Sequence, residues 1–359
     1  MTVKEIAELA GVSIGTVDRV LHNRGRVSRG TRERIEEIIK DSGFSPNPIA
    51  RRLKRNREYR FYALVPQLSQ DSGYWGQARQ GILEAADEIT SMGVVSQILE
   101  FDRYDATSFH RATKRVLESP CDGILLPPIM PDESRAFINT IEGKIPYVFF
   151  DAHLPDTHPL VTIGQDSFRG GHLAGRLASL FAQGQRGTFA IMTAHTEDYH
   201  IKRRREGFLD FASSAGYTVV LRENVDLEKE TLVNKELEDL AIQYPDLLGV
   251  FVTSASAHRL AQAAWEFRKK RPLVVIGYDL VLENHRLLLE GKIDAIISQR
   301  PEYQGRRGLL DLYRSIVLGR AVQSSVEIPL DVYIRENAPA LKKFHGEERP
   351  KGKEVLRAP

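Results

Sequence analysis

The sequence contains a single cysteine, Cys121, among its 359 residues. One cysteine excludes an internal disulfide and any metal site built from cysteine pairs, which is typical of a reducing compartment. No apolar run approaches the ~20 residues that cross a bilayer, and the N-terminal residues lack the hydrophobic segment of a signal peptide. We therefore expect a cytoplasmic protein that does not enter the membrane.

Motifs of common catalytic and nucleotide-binding sites are also missing. The sequence contains no GxGxxG, GxxxxGK[ST], GxSxG or HExxH pattern. Its glycine-rich stretch is therefore interpreted as a set of helix-packing positions, namely Gly164, Gly170, Gly171 and Gly175. We expect no enzymatic activity, no cofactor and no metal ion.

Charge is distributed unevenly along the chain, although the formal net charge is only +2. Residues 1–60 carry 14 basic and 8 acidic side chains, whereas the remaining residues carry 36 and 40. Such asymmetry favours a nucleic-acid partner for the N-terminal part, and a solvated basic tail is the alternative. A basic run at residues 51–57 directly precedes the first strongly apolar stretch, which indicates a linker there.

The first sixty residues predict three short helices with a helix-turn-helix arrangement. Thr2 and Glu5 have the spacing of a capping box at the start of the first helix. Ser13 is a suitable N-cap for a second helix at residues 14–21, and a third helix spans about residues 31–41. The residues expected to face the shared core are Ile6, Leu9, Ala10, Val17, Val20, Leu21, Ile35, Ile38 and Ile39.

The second helix offers candidate contacts to DNA, because the second helix of such a pair enters the major groove. Arg19 suits guanine and Ile14 suits a thymine methyl group, whereas Thr16 and Ser28 suit phosphates. Gly15 has no side chain to read a base. The candidate DNA-binding residues are Ser13, Ile14, Thr16, Arg19, Arg26, Ser28 and Leu53.

The stretch from Val3 to Leu53 resembles the headpiece and hinge of the LacI-type transcription regulators. The pattern AGVS–TV–RVL matches the recognition helix of that family, and NPIARRL resembles its hinge helix. The resemblance implies that Leu53 enters the minor groove when the hinge folds on operator DNA. Asp18 replaces the usual serine, and we expect it to pair with a neighbouring arginine.

From residue 61 onward, short apolar strands alternate with amphipathic helices, including a last strand at residues 326–334. This alternation predicts doubly wound parallel α/β sheets, and about 260 residues are enough for two of them. The predicted divisions are a helix-turn-helix domain at 1–45, a hinge at 46–60, an effector domain at 61–345 and a disordered tail at 346–359. Within the effector domain, the first subdomain is predicted at 61–163 plus 294–322 and the second at 164–293 plus 323–345.

Polar and aromatic side chains follow the strands at the ends where ligands bind in such sheets. Carboxylates, amides, an arginine and an aromatic ring together suit a polyol, because they bind vicinal hydroxyls and the apolar face of a sugar. The alternatives are that the aspartates cap strand ends and that Trp75 belongs to the core. The candidate effector-binding residues are Tyr74, Trp75, Asp151, Asp166, Arg204, Ser254, Asp279 and Gln299.

This second region resembles the periplasmic-binding-protein-like effector domain of the same family, close to its ribose-binding branch. The motifs VFFD, KRRREGF, IGYD and ISQRPEYQG imply sugar contacts by Asp151, Arg204, Asp279 and Gln299, with Trp75 or Tyr74 stacking on the ring. Two residues depart from the pattern of that branch: Ala152 lies where an arginine is common, and Ser254 lies where an asparagine is common. The sequence therefore leaves an acidic or phosphorylated effector as an alternative to a neutral sugar.

Together these features predict a DNA-binding transcriptional repressor that is controlled by a sugar-like effector. We expect a homodimer on a pseudo-palindromic operator. The alternative is a solute-binding protein for sugar transport, which explains residues 61–335 equally well. That alternative does not explain the basic helices of the first sixty residues.

Overall fold

The computed structural model describes residues 3–21, 25, 27–42, 57–194, 198–225, 227, 229–269 and 272–340. Most of the predicted hinge and all of the predicted tail lie outside the described residues. So do Thr2, Arg26 and Leu53. In the described part, every helix is too short or too polar to cross a bilayer.

Residues 3–42, called the headpiece below, form three helices around their own core. These are α1 (Val3–Ala10), α2 (Ile14–Leu21) and α3 (Arg29–Ser42). The Ser13 hydroxyl accepts a hydrogen bond from the Thr16 amide at 3.2 Å, which confirms the predicted N-cap of α2. The fully buried side chains are Ile6, Ala7, Ala10, Val17, Val20 and Ile35.

The prediction that Leu9 faces this core was wrong, because its side chain is 55% exposed. Ala7 takes the place expected for Leu9. At 3.6 residues per turn, Ile6, Ala7 and Ala10 share one face of α1, and Leu9 lies to the side of that face.

The first sheet is built from residues 59–164 and two later elements. Its first part is β1 (Tyr59–Pro66), α4 (Tyr74–Thr90), β2 (Val94–Phe101), α5 (Ala106–Leu117), β3 (Gly123–Leu126), α6 (Pro131–Ile141), β4 (Tyr147–Phe150) and β5 (Val161–Gly164). Apolar, fully buried strands such as β3 and β4 are typical of sheets that are covered by helices on both faces.

The chain then crosses to a second sheet. Its elements are α7 (Ser167–Phe181), β6 (Thr188–Thr193), α8 (Tyr199–Ala215), β7 (Thr218–Glu223), α9 (Glu230–Gln243), β8 (Leu247–Val252), α10 (Ala257–Arg268), β9 (Val274–Tyr278), α11 (Leu282–Leu289) and β10 (Ala295–Ser298). The remaining elements are α12 (Pro301–Leu312), β11 (Ser325–Glu327) and β12 (Asp331–Tyr333).

The strand order is β11-β5-β4-β3-β1-β2 in the first sheet and β12-β10-β9-β8-β6-β7 in the second. All the pairings are parallel except that of β12 with β10. The fold class predicted from the alternating pattern is therefore confirmed.

The chain passes between the two subdomains three times, and two of these crossings differ from the prediction. Strand β10 lies in the second sheet, although residues 294–322 were expected in the first. Strand β11 lies in the first sheet, although residues 323–345 were expected in the second. The single strand expected at 326–334 is two strands, because Pro329 lacks an amide donor and interrupts the pairing.

One side chain joins the three crossings. Gln165, in the first crossing, donates from Nε2 to the Ser298 carbonyl in the second and to the Pro329 carbonyl in the third, each at 2.7 Å. The crossings therefore form one connected hinge between the subdomains.

Candidate functional site

A narrow cavity with about 30 Å³ of free room lies between the subdomains, where the strands of both sheets end. Seven of the eight predicted effector-binding residues line it, namely Tyr74, Trp75, Asp151, Arg204, Ser254, Asp279 and Gln299. The eighth, Asp166, does not, and it N-caps α7 by accepting a hydrogen bond from the Arg169 amide at 3.0 Å. The structure thus brings together residues that are up to 225 positions apart in the chain.

Arg204 is the central cation of this cavity and is only 1% exposed. Its guanidinium donates to the Thr253 carbonyl at 2.9 Å and to Gln299 Oε1 at 3.1 Å, and it lies 3.6 Å from the centre of the Tyr278 ring. Its Nε makes no hydrogen bond within the described part of the chain. Arg204 is therefore held rigidly, and it keeps further N–H donors, that of Nε among them, for a ligand.

Asp151 and Asp279 end β4 and β9 on opposite walls of the cavity. Each has a positive φ, +69° and +60° respectively, which turns the chain sharply out of the strand. Asp151 Oδ1 accepts a hydrogen bond from the Tyr74 hydroxyl at 2.6 Å. Asp279 Oδ2 accepts one from Gln299 Nε2 at 3.1 Å. Both carboxylates are thus oriented by neighbours and still have capacity to accept bonds from hydroxyl groups.

Burial raises the pKa values of these two carboxyl groups, because the charged form loses its hydration. The pKa of Asp151 is raised to about 6, against the opposing effects of its bond from Tyr74 and of the Arg204 charge. The pKa of Asp279 is raised to about 7 by burial and by the Asp151 charge, again opposed by Arg204. A buried pair of this kind is typical of a functional site.

These pKa values predict how stability depends on pH. The Asp279 pKa rises from 3.8 in the unfolded chain to about 7 in the folded one. Its contribution to stability is therefore full below pH ~4 and is lost as the pH rises through 7. Without effector, wild-type protein should lose about 3 kcal/mol relative to Asp279→Asn between pH 5 and pH 8. Thermal unfolding of both proteins measures this, and a pH-independent difference would contradict it.

Trp75 is part of the cavity wall and of the core at the same time. It is 1% exposed, and its indole nitrogen donates to Asp71 Oδ2 at 2.5 Å. Its ring packs edge-on against Tyr74 at 4.9 Å and Phe150 at 6.3 Å. The stacking role suggested for it stays a prediction, and Tyr74 is equally buried beside it.

Four ionisable residues of the cavity were missed in the sequence, namely Asp71, Arg103, Asp198 and His200. Arg103 follows β2 and donates to Asp71 in its own subdomain and to Asp198 across the cleft, both at 2.5 Å. The side chains of Arg103 and Asp198 are each only 7% exposed, so this ion pair is shielded from solvent. His200 Nε2 lies 4.0 Å from Asp151 Oδ2. The only sequence signal for Arg103 was its place just after a strand.

The candidate DNA-binding residues of the headpiece divide into two groups. Ile14 is 50% exposed and Arg19 is also exposed, so both are available to a groove. Thr16 is half-buried and its hydroxyl lies 3.0 Å from that of Ser13. The Ser28 hydroxyl accepts from the Thr31 amide at 3.3 Å. The serines therefore cap helices whose N-terminal amides suit phosphates.

Known families match both parts of this architecture. Residues 62–319 match the periplasmic binding protein domain, and residues 2–47 match the bacterial regulatory proteins of the lacI family. The protein belongs to the lacI family. This lacI-family regulator is a DNA-binding transcriptional regulator that joins a helix-turn-helix headpiece to a periplasmic-binding-protein domain.

Named relatives agree with this assignment. The HTH-type transcriptional repressor PurR of Mannheimia succiniciproducens is 25% identical over 94% of this chain and 98% of PurR. The HTH-type transcriptional regulator DegA of Bacillus subtilis is 27% identical, and the match spans about half of both chains, 49% and 50%. The solved structure of GanP, a glucose-galactose binding protein from Geobacillus stearothermophilus, is 24% identical over 79% of this chain and 99% of GanP. Its TM-score of 0.70 shows that it shares the fold of the effector domain.

Proposed function

We propose that this lacI-family regulator is a cytoplasmic transcriptional repressor whose operator affinity is set by a neutral sugar. The effector would enter this narrow cavity when the subdomains open and would bind through Asp151, Asp279, Arg204 and Gln299. The observation that carries the proposal is the pair of buried carboxylates on opposite walls, with Arg204 near both. Such a set binds vicinal hydroxyls, and the sugar named for GanP supports the same ligand class.

Charge in the cavity argues for a neutral effector over an acidic or phosphorylated one. Four carboxylates line it, Asp71, Asp151, Asp198 and Asp279, against two guanidinium groups, Arg103 and Arg204. The arginines next to Arg204 were the reason for considering an anionic effector. Both pair with acidic side chains instead, Arg203 with Glu206 and Arg205 with Glu223. Arg103 is already bonded to Asp71 and Asp198, so a phosphate would meet one further guanidinium, that of Arg204, beside the carboxyl groups of Asp151 and Asp279.

The coupling to DNA follows from the hinge. A sugar that contacts both walls favours the closed arrangement of the subdomains, because it gains its full contacts only there. In a homodimer, closure changes the spacing of the two headpieces and hence their fit to two half-sites. A coupling of about 1–3 kcal/mol is enough for a useful switch. We propose no catalytic role for the effector cavity.

The test separates DNA binding from effector binding by deleting residues 1–56, which leaves β1 (Tyr59–Pro66) intact. The full chain should bind its operator with an affinity that falls steeply with salt and changes when the sugar is added. The truncated chain should lose operator binding and keep its thermal stabilisation by the sugar, because the headpiece has a separate core. Neutral sugars, sugar acids and sugar phosphates are the probes. A full chain that binds no specific DNA at moderate salt would refute the proposal.

A further inference from the structure

The described end of the predicted hinge, residues 57–60, contacts the first subdomain at Asp122, which directly precedes β3. Asp122 Oδ2 accepts a hydrogen bond from the Arg60 amide at 2.9 Å, and the Asp122 amide donates to the Arg60 carbonyl at 2.8 Å. Asp122 Oδ1 accepts a hydrogen bond from the Arg57 guanidinium. Asp122 therefore binds both the backbone at the start of β1 and a side chain of the hinge.

The ion pair of Arg57 with Asp122 orients the hinge and adds little to the stability of β1. Strand β1 already pairs with β2 on one side and with β3 on the other. The Arg57 side chain is 59% exposed, and an ion pair with so exposed a member contributes little to stability. Its guanidinium also lies 4.9 Å from the centre of the Tyr59 ring. Arg57 ends the basic run at 51–57, so these contacts fix where that run meets the domain.

At the other end of the first subdomain, helix α12 is bonded to the effector cavity. Gln304, near the start of α12, is fully buried. Its Oε1 accepts a hydrogen bond from the Asp151 amide, and its Nε2 donates to the Gln299 carbonyl, each at 2.8 Å. Asp151 and Gln299 are both candidate effector ligands, so a movement of the cavity wall also moves the start of α12.

The far end of this helix lies against the backbone next to Asp122. One π-helical turn, Tyr313–Val317, continues α12, and together they span about 25 Å at 1.5 Å per residue. A methyl group added to Gly123 would lie 2.8 Å from Ile316 Cδ1 and 3.1 Å from Leu312 Cδ2. The end of the helix is thus in close contact with the residue that follows Asp122.

Close packing along α12 makes the subdomain rigid between these two ends. A methyl group on Gly305 would lie 2.3 Å from the Ala78 carbonyl oxygen of α4, and one on Gly308 would lie 2.5 Å from Leu125 Cδ1 of β3. Interiors packed this closely transmit displacements and do not absorb them. When the subdomains close, a rotation that begins at the cavity therefore displaces Asp122 as well.

We infer that Asp122 is a positioning residue for operator binding, and that its bond to Arg57 carries the movement of the first subdomain into the hinge. With the bond intact, the last residues of the hinge move with the subdomain. Without it, the backbone at residues 57 and 58, which precede β1, absorbs the movement by rotation. This inference rests on the proposed function and deepens it, because it names residues through which the effector changes operator affinity.

The experiment measures how strongly a sugar changes operator affinity in the full chain. The DNA is a duplex selected from random sequence by the wild type, and the sugar is whichever of galactose, glucose, arabinose and ribose stabilises it. Fluorescence anisotropy gives the operator Kd with and without saturating sugar, and the two values should differ 5- to 150-fold in the wild type. Asp122→Asn and Arg57→Gln should each reduce that factor at least threefold. The double variant should reduce it no further, since both changes remove one bond.

Two further variants are the controls. Arg60→Gln removes the same charge three residues later, but the Arg60 side chain pairs with Glu58, and its backbone bonds to Asp122 remain. It should respond to the sugar as the wild type does. Arg57→Lys keeps the ion pair and should also keep the response. Sugar affinity without DNA should be unchanged in every variant, and Tm should change by less than about 3 °C, whereas a merely structural role would alter both.

Each other outcome contradicts the inference. If Arg57→Gln weakens operator binding equally with and without sugar, Arg57 acts only as a positive charge near DNA, and the inference is overturned while the proposed function stands. A full sugar response in Asp122→Asn, or an equal loss of response in Arg60→Gln, overturns it in the same way. If the sugar binds the wild type and leaves its operator affinity unchanged, or if none of the four sugars binds, the proposed function fails and the inference fails with it.

Discussion

Replacing Arg204 by Met should abolish effector binding and leave operator binding intact. A hydrogen bond between a charged group and a ligand contributes about 1.5–3 kcal/mol, so its loss corresponds to roughly a 10-fold to 150-fold loss of affinity. The charge of Arg204 opposes the raised pKa of both Asp151 and Asp279. Its loss leaves those carboxyl groups more protonated, and a protonated carboxyl group is a poorer acceptor for sugar hydroxyls.

The measurement is the thermal shift that a stabilising sugar produces, about 2.7 kcal/mol at a hundredfold excess over its dissociation constant. Arg205→Ala is the matched control, since Arg205 is the next residue of α8 and pairs with Glu223 away from the cavity. The control should keep the shift. Operator affinity without effector should be unchanged in both variants, because the headpiece packs around its own residues. An undiminished shift in Arg204→Met would place the effector elsewhere.

Replacing Gly171 by Ala should destabilise the effector domain and impair sugar binding together. An added methyl group at Gly171 would lie 1.8 Å from the Arg204 carbonyl oxygen, so α7 and α8 must move apart. Overpacking of this kind costs about 1–3 kcal/mol and occasionally more. In a domain of this size, that corresponds to a fall in Tm of roughly 2–12 °C. The backbone that moves is that of Arg204 itself, so effector affinity should fall as well.

Gly76→Ala provides the control for this prediction. Gly76 also lies in a helix, α4, but a methyl group there would meet nothing within 4 Å. That substitution should raise stability by up to about 1 kcal/mol, since alanine favours the helix more than glycine does. Equal effects of the two substitutions on Tm would show that helix propensity, and not the contact between α7 and α8, decides the outcome.

Local patterns in the sequence were sufficient for the elements and for much of the cavity. Strands such as β4 and β9 are short apolar runs, and the residue that follows each run is an aspartate. In parallel sheets these strand ends converge, so the positions of Asp151 and Asp279 could be predicted without coordinates. The N-cap of α2 was equally local, because Ser13 lies three residues from its partner Thr16.

The features that sequence reasoning missed depend on contacts between distant parts of the chain. Arg103 and Asp198 are 95 positions apart and meet only when the two subdomains close on each other. Each of the strands β10 and β11 lies in the other sheet from the one predicted, because of where the chain crosses the hinge. Strands β10 and β11 have no composition that marks one sheet or the other. Asp166 was placed in the site by its position after β5, but it follows the hinge crossing and caps α7 instead.

The three crossings that Gln165 connects have a consequence for the newly made chain. All three helices of the headpiece have been synthesised by residue 42. The first sheet is complete only after β11 at 325–327 has been synthesised, and the second only after β12 at 331–333. At a synthesis rate of about 5–20 residues per second, roughly 15–60 s separate the two events on the ribosome. The nascent chain therefore has a folded headpiece well before its effector domain is complete.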